Sequence, residues 1–201
     1  MKRESAVRHL VEMAAQASDD MRRCGDSFDW PLVSMWAAGD LLGDAKSLEW
    51  AEAVLVFDLP PDDLPWLTLH RAVGWIEDLL RLGKRPVSWW NRPSGWPAWN
   101  ARHARVVCFW TDAEGLDQKT VDALCAGSVS PVVEPTPEER MAQLRTERDV
   151  ARKHLDTLLD RYHDHAWRRE HKGGGTYPED HLWRAAQGLR EIEHVLAGED
   201  R

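Results

Sequence analysis

Cysteine and long apolar runs are both scarce in this sequence, and each scarcity excludes a class of protein. Its three cysteines, Cys24, Cys108 and Cys125, fit neither a disulfide framework nor a zinc site, because their number is odd and their spacing is wide. The longest stretch without a charged side chain is 123–133, eleven residues, whereas a membrane-spanning helix needs roughly 20. Charged side chains interrupt the first residues, so no signal peptide is indicated. The sequence therefore predicts a cytoplasmic protein without a membrane segment.

Motifs for nucleophilic catalysis and for metal binding are also missing. No serine lies in a Gly-x-Ser-x-Gly elbow, and no cysteine lies in an activating context. Imidazole and carboxylate side chains do gather in one segment, at His154, Asp160, His163, Asp164, His165 and His171. Asp160, His163 and Asp164 would share one helix face, but a complete ligand set is not evident. We therefore predict no metal and no cofactor, and we assign no role to His163, His165 and His171.

Positive charge is not in excess in either part of the chain. Residues 1–135 carry 14 Lys and Arg against 20 Asp and Glu, and residues 136–201 carry 12 against 14. This balance disfavours a general binder of duplex DNA. The segment 128–137 contains three prolines and no helical period, which is typical of a linker or an extended edge piece. The sequence thus predicts two domains, 1–135 and 136–201.

Helix and strand patterns alternate in the first domain. Apolar residues spaced by three and four predict helices over 7–21, 62–83 and 116–126. Short apolar runs at 32–36, 53–57 and 105–110 predict strands. The fold class expected is α/β (α+β), a small mixed sheet with flanking helices.

The second domain shows two helices with a single apolar stripe each. Thr136, Pro137 and Glu139 form a capping-box pattern, and stripes follow along 141–162 and 182–196. Such helices bury their stripes on each other and on something else, so we expect a C-terminal antiparallel helical hairpin docked on the core or on a second copy. A homodimer through these helices is therefore possible.

A two-glycine turn, Gly39-Asp40-Leu41-Leu42-Gly43, follows the first predicted strand. The order of strand, glycine turn and second strand resembles the nucleotidyltransferase fold, in which the turn holds nucleotide phosphates and carboxylates hold magnesium. The resemblance implies Gly39 and Gly43 as ligand-binding residues. It implies Asp40, Glu52 and Asp112 as the candidate catalytic carboxylates. The family's acidic-x-acidic pair is absent, because Glu49 and Glu52 are three residues apart, so a degenerate active site is expected.

The chain as a whole resembles an uncharacterised family of actinobacterial proteins. The resemblance lies in the Gly39 turn, in Asp58-Leu59-Pro60 with Pro65-Trp66 beyond it, and in Leu182-Trp183-Arg184-Ala185. It implies no activity.

Tryptophan and arginine are concentrated in a segment that has no carboxylate, 79–111. Indole faces stack on bases and guanidinium groups bind phosphates. The segment is thus a candidate site for a nucleotide or a single-stranded nucleic acid, through Trp89, Trp90, Arg92, Trp96, Trp99 and Arg102. The alternative is an irregular loop, fixed by Pro86, Pro93 and Pro97, whose tryptophans pack over the sheet.

Three functions remain open at this point. A non-catalytic binding or interaction protein is favoured, because the metal-binding acidic pair is missing. A metal-dependent nucleotidyltransferase, with Arg92 or Arg102 neutralising charge, is the second. A single-stranded nucleic-acid binder is the third.

Overall fold

The computed structural model describes residues 1–24, 31–173 and 176–199, and it places one mixed sheet between two sets of helices. The strands are β1 (Leu32–Ala38), β2 (Ala51–Phe57), β3 (Val87–Pro93), β4 (Val106–Thr111) and β5 (Gly115–Leu116). The helices are α1 (Arg3–Cys24), α2 (Arg71–Leu79), α3 (Gln118–Ala126), α4 (Pro137–Arg161), α5 (His165–Glu170) and α6 (Pro178–Glu199).

The five strands lie in the order β3-β2-β1-β4-β5. β1 is antiparallel to both β2 and β4, and β2 is parallel to β3. β2 therefore lies inside the sheet, and six of its seven residues are buried. This explains the continuous apolar run in its sequence, which is typical of a strand covered on both faces.

Different parts of the chain pack on the two faces of the sheet. Apolar side chains of α1, α2 and α3 pack on the first face, against strand residues such as Met35, Leu55 and Phe109. Because strand side chains alternate, Val54 and Val56 point to the second face. There they pack with Trp99 and Val106. The second face is thus covered by the segment 94–105 and, beside it, by the C-terminal helices.

The expected α/β fold is confirmed, and most elements lie where the sequence pattern placed them. Thr136 caps α4 in a complete capping box with Glu139. Gly127 ends α3 with a positive φ of 69°. Val133 forms a bridge to Val106, so the proline-rich segment includes an extended edge piece. The helix predicted over 7–21 is α1, which spans Arg3–Cys24, and Gly25, where its pattern stops, lies outside the described residues.

Two parts of the first 135 residues differ from the prediction. The second helix begins at Arg71, not at 62, because Leu67 has a positive φ of 62° and His70 caps the helix by accepting from the Ala72 amide. The region expected to be an irregular loop contains β3, whose register pairs Val54 with Trp90 and Val56 with Arg92. Pro86 precedes this strand and Pro93 is its last residue, so neither proline interrupts its pairing with β2.

The C-terminal helices form the predicted antiparallel hairpin. Leu144 and Ala151 of α4 pack with Ile192 and Leu196 of α6. Nearer the other end of α4, Leu158 packs with Ala185, so the two helices run in opposite directions. The same apolar stripes contact Trp66 and Trp90, and the hairpin is therefore docked on its own core.

A buried ion pair joins α4 to the sheet. The Arg92 guanidinium donates two hydrogen bonds to the Glu147 carboxylate, at 2.7 and 2.6 Å, and both side chains have 0% exposure. Gln143 donates a further bond to Glu147, and Arg92 also donates to the Pro97 carbonyl. The pair is well satisfied, which is the condition for two charges to be retained without water.

Glycine allows α6 to approach the sheet domain closely. A Cβ atom at Gly188 would lie 2.1 Å from the carbonyl oxygen of Trp66, so no other residue fits there. One turn further along α6, Glu191 accepts a hydrogen bond from the Trp66 indole and two from Arg102. The backbone contact at Gly188 and the hydrogen bonds of Glu191 therefore both hold α6 against the sheet domain.

We predict that Glu147→Gln lowers the free energy of unfolding by about 3–5 kcal/mol, because it leaves the Arg92 charge buried without a counterion. The apolar double variant Arg92→Met/Glu147→Leu should recover most of that loss. Urea unfolding followed by circular dichroism measures both. The matched control is Glu193→Gln, which removes an exposed pair with Arg152 and should cost less than about 1 kcal/mol. Equal losses of unfolding free energy in Glu147→Gln and Glu193→Gln would contradict the conclusion that the Arg92 charge needs Glu147 as its buried counterion.

Candidate functional site

The glycine turn after β1 is held by hydrogen bonds from within the chain. Gly39 has a positive φ of 66° and starts a short 3-10 turn over Gly39–Leu42. Gly43 has a φ of −104°, so of the two glycines only Gly39 needs the conformational freedom of glycine. The Arg3 guanidinium donates to the carbonyl oxygens of Leu41, Gly43 and Ala45. The carbonyl groups of Leu41 and Gly43 are thus hydrogen-bonded within the chain.

A carboxylate occupies the space beside Gly39. A Cβ atom at this position would lie 1.4 Å from Oε2 of Glu52. The Asp40 backbone amide donates to the same carboxylate, while burial raises the pKa of Glu52 and is the larger effect. The amide that a bound phosphate would contact in a turn of this kind is therefore engaged by the protein's own side chain.

His103 lies next to Glu52, a neighbour that sequence spacing does not reveal. Its Nε2 atom is 3.7 Å from Oε1 of Glu52, is buried and has no hydrogen-bond partner among the described residues. Its ring meets the Trp90 ring edge-on at 4.5 Å. Burial, with the Arg102 charge, lowers the pKa of His103 to about 4. The imidazole is therefore neutral at physiological pH, beside a carboxyl group whose pKa is shifted upward.

The three candidate catalytic carboxylates do not converge, which corrects the site implied by the resemblance. Asp40 and Glu52 lie together at the end of β1 where Ala38 pairs with Val106. Asp112 lies at the opposite end of β1, where its amide donates to the Val33 carbonyl. The length of β4 separates the two places, about 20 Å at the usual rise per residue. One divalent cation cannot bind all three.

No other metal centre is evident among the described residues, where no group of three or more His, Cys, Asp and Glu side chains could hold an ion. The shared helix face considered for Asp160, His163 and Asp164 is not formed, because α4 ends at Arg161. His163 and His165 are exposed, and Asp164 caps α5 by accepting from the Ala166 and Trp167 amides. His171 instead contacts His181 and Trp167.

The tryptophans of the segment 79–111 pack mainly within the protein, which agrees with the alternative interpretation given for this segment and not with an exposed stacking surface. Trp90 and Trp99 are buried, and Trp89 packs on the first face of the sheet. Trp96 lies under the Arg92 guanidinium, 5.2 Å from its carbon. The guanidinium groups are engaged as well, because Arg92 pairs with Glu147 and Arg102 pairs with Glu191 while covering Trp90. Of these tryptophans, Trp90 packs against the apolar stripes of the C-terminal helices, and Trp99 packs on the sheet.

These observations define a mixed α/β sheet protein whose second face is completed by a C-terminal helical hairpin. The chain belongs to the family described as a domain of unknown function, DUF7711, whose family model matches residues 1–197.

This chain is also similar to a solved structure, whereas no curated protein matches it. A crystal structure from Sulfolobus solfataricus, described as a "putative nucleotidyltransferase", is 18% identical to this chain, with a TM-score of 0.33. The alignment covers 57% of this chain and 94% of that chain.

We predict that Gly39→Ala lowers the free energy of unfolding by about 2–3 kcal/mol. Roughly 1–2 kcal/mol comes from the positive φ, and the rest from displacing Glu52 from the Asp40 amide. In a Glu52→Ala background, Gly39→Ala should lower the free energy of unfolding only by the part that comes from the positive φ. A double-mutant cycle by urea unfolding measures the difference. Strict additivity of the two substitutions would show that Glu52 does not occupy the turn.

Proposed function

We propose that the protein is a non-catalytic binding or interaction module of the cytoplasm, with a degenerate nucleotidyltransferase-like domain over 1–135 and a helical hairpin over 136–201. The observation that carries the proposal is the position of Glu52, whose carboxylate accepts the amide of the glycine turn and fills the space beside Gly39. A nucleotide phosphate would have to displace a negative charge that the chain itself supplies.

The charge around the turn gives the same proposal only weak support. Across 40–52 the sequence has four acidic residues, Asp40, Asp44, Glu49 and Glu52, against one base, Lys46. Arg3 and Arg102 add positive charge beside these carboxylates, so the acidic stretch by itself opposes a phosphate only weakly. The separation of Asp112 from the other two carboxylates removes the arrangement that would bind a divalent cation.

Two findings bear on location. Cys108 and Cys125 are free thiols, as is usual in a reducing compartment. Within the described part of the chain, every helix is too short or too polar to cross a bilayer.

An interaction surface is available at one end of the hairpin. Leu159 near the end of α4, and Tyr177 and Trp183 near the start of α6, are 51%, 55% and 69% exposed. Because the helices are antiparallel, these three side chains lie at the same end, which we name the hairpin tip. Large aromatic side chains contribute strongly to protein interfaces. The stripe residues Leu155 and Leu189 pack within the chain, so a homodimer through these helices would use the hairpin tip.

We predict that nucleotides do not stabilise the protein. Thermal unfolding should change by less than about 1 °C with millimolar ATP, GTP, CTP or UTP, each with Mg²⁺ or Mn²⁺, because a ligand stabilises in proportion to its occupancy of the folded state. Sodium sulfate at equal ionic strength controls for general salt effects. A rise of several degrees with one nucleotide and metal, but not with sulfate, would contradict the proposal.

We also predict that the protein is a dimer in sedimentation experiments at about 50 μM and that Trp183→Glu converts it to a monomer, since a buried charge opposes association. The control is Trp50→Glu, which changes a tryptophan that is 50% exposed and precedes β2. That variant should remain dimeric. A monomeric wild-type protein, or equal behaviour of the two variants, would exclude the hairpin tip as a homodimer surface.

A further inference from the structure

Three histidines meet where α4, α5 and α6 come together. The His171 ring stacks on the Trp167 indole, with centroids 4.3 Å apart and planes at 24°. The His181 ring meets His171 edge-on at 4.9 Å. His154 of α4 interacts electrostatically with His181 and hydrogen-bonds to the backbone of Asp62. We name His154, His171 and His181 the histidine cluster.

The histidine cluster lies over a small apolar core. Trp167 is 2% exposed and packs with Leu158 of α4 and Ala185 of α6. The Nδ1 atom of His171 is 2.9 Å from the Trp167 carbonyl oxygen and closes the last turn of α5. Packing of α5 therefore depends on the two imidazole rings that cover Trp167.

Charging the cluster opposes this packing. His181 faces His171, His154, Arg184 and Asp180, so only one of its charged neighbours is negative. His154 faces Asp62 and Asp63, which favour its protonated form, but burial has the larger effect. Burial lowers the pKa of both His154 and His181. The unfolded chain then binds more protons than the folded chain below about pH 6.5, so the stability is complete above that value and is lost as the pH falls.

We propose that the histidine cluster is an acid-sensitive latch, in which protonation of His154 and His181 below about pH 6.5 releases α5 and the start of α6 from α4 while the sheet stays folded. A positive charge on the His181 ring, which lies 4.9 Å from the His171 ring and near Arg184, opposes the contacts that cover Trp167. The inference is independent of the proposed function, because it requires neither a partner nor a ligand.

Hydrogen exchange measured by mass spectrometry at pH 7.5 and pH 5.5 tests the latch. After correction for the intrinsic rate, exchange in peptides covering 162–173 and 176–184 should accelerate at least about tenfold at the lower pH. Peptides from α1 and β2 should keep their protection. The double variant His154→Gln/His181→Gln should lose the acceleration. His163→Gln is the matched control, since His163 is exposed, and it should retain the wild-type response.

Two results would overturn the proposal. One is wild-type exchange in this region that does not change between the two pH values. The other is a double variant that accelerates as the wild type does. Circular dichroism at pH 8 establishes that the variants are folded. If the double variant does not fold, NMR titration of the wild-type imidazole protons decides the matter, because midpoints of His154 and His181 at or above about 6.5 would exclude the latch.

Discussion

The architecture depends on the ion pair between Arg92 and Glu147. β3 carries a permanently charged guanidinium on the second face of the sheet, where water is excluded. A single buried charge of this kind is too costly to retain, so the face requires a carboxylate delivered by another element. α4 supplies this carboxylate as Glu147, and α6 packs against α4 as its antiparallel partner. Trp90, Arg92 and Arg102 therefore form the part of this segment that contacts the helical hairpin.

The glycine turn after β1 is held by hydrogen bonds that the chain itself supplies. Arg3 satisfies the carbonyl groups of the turn, and Glu52 satisfies the Asp40 amide. Both partners come from the chain itself, so the turn is rigid without a ligand. His103 completes the arrangement as a neutral neighbour, held by its backbone bond to Asn100.

Local patterns in the sequence predicted local structure correctly, whereas contacts between residues far apart in the chain could not be predicted. Thr136 and Glu139 are three residues apart, so the capping box and α4 could be recognised directly. The contacts that decide the site join residues far apart in the chain, as Glu52 with His103 and Arg92 with Glu147. β3 was missed because its parallel pairing with β2 is nonlocal and its flanking prolines are typical of a loop. Exposure of the tryptophans could not be inferred either, since the helices that cover them come much later in sequence.

The order of the elements along the chain also has a consequence for biosynthesis. The strands and their first-face helices emerge from the ribosome before α4 and α6 are made, and until then Trp66, Trp90 and Arg92 have no cover. A nascent sheet in this state exposes apolar side chains and is prone to aggregate, so a chaperone would have to shield it. The close approach of Gly188 to the Trp66 carbonyl can form only after α6 has been synthesised.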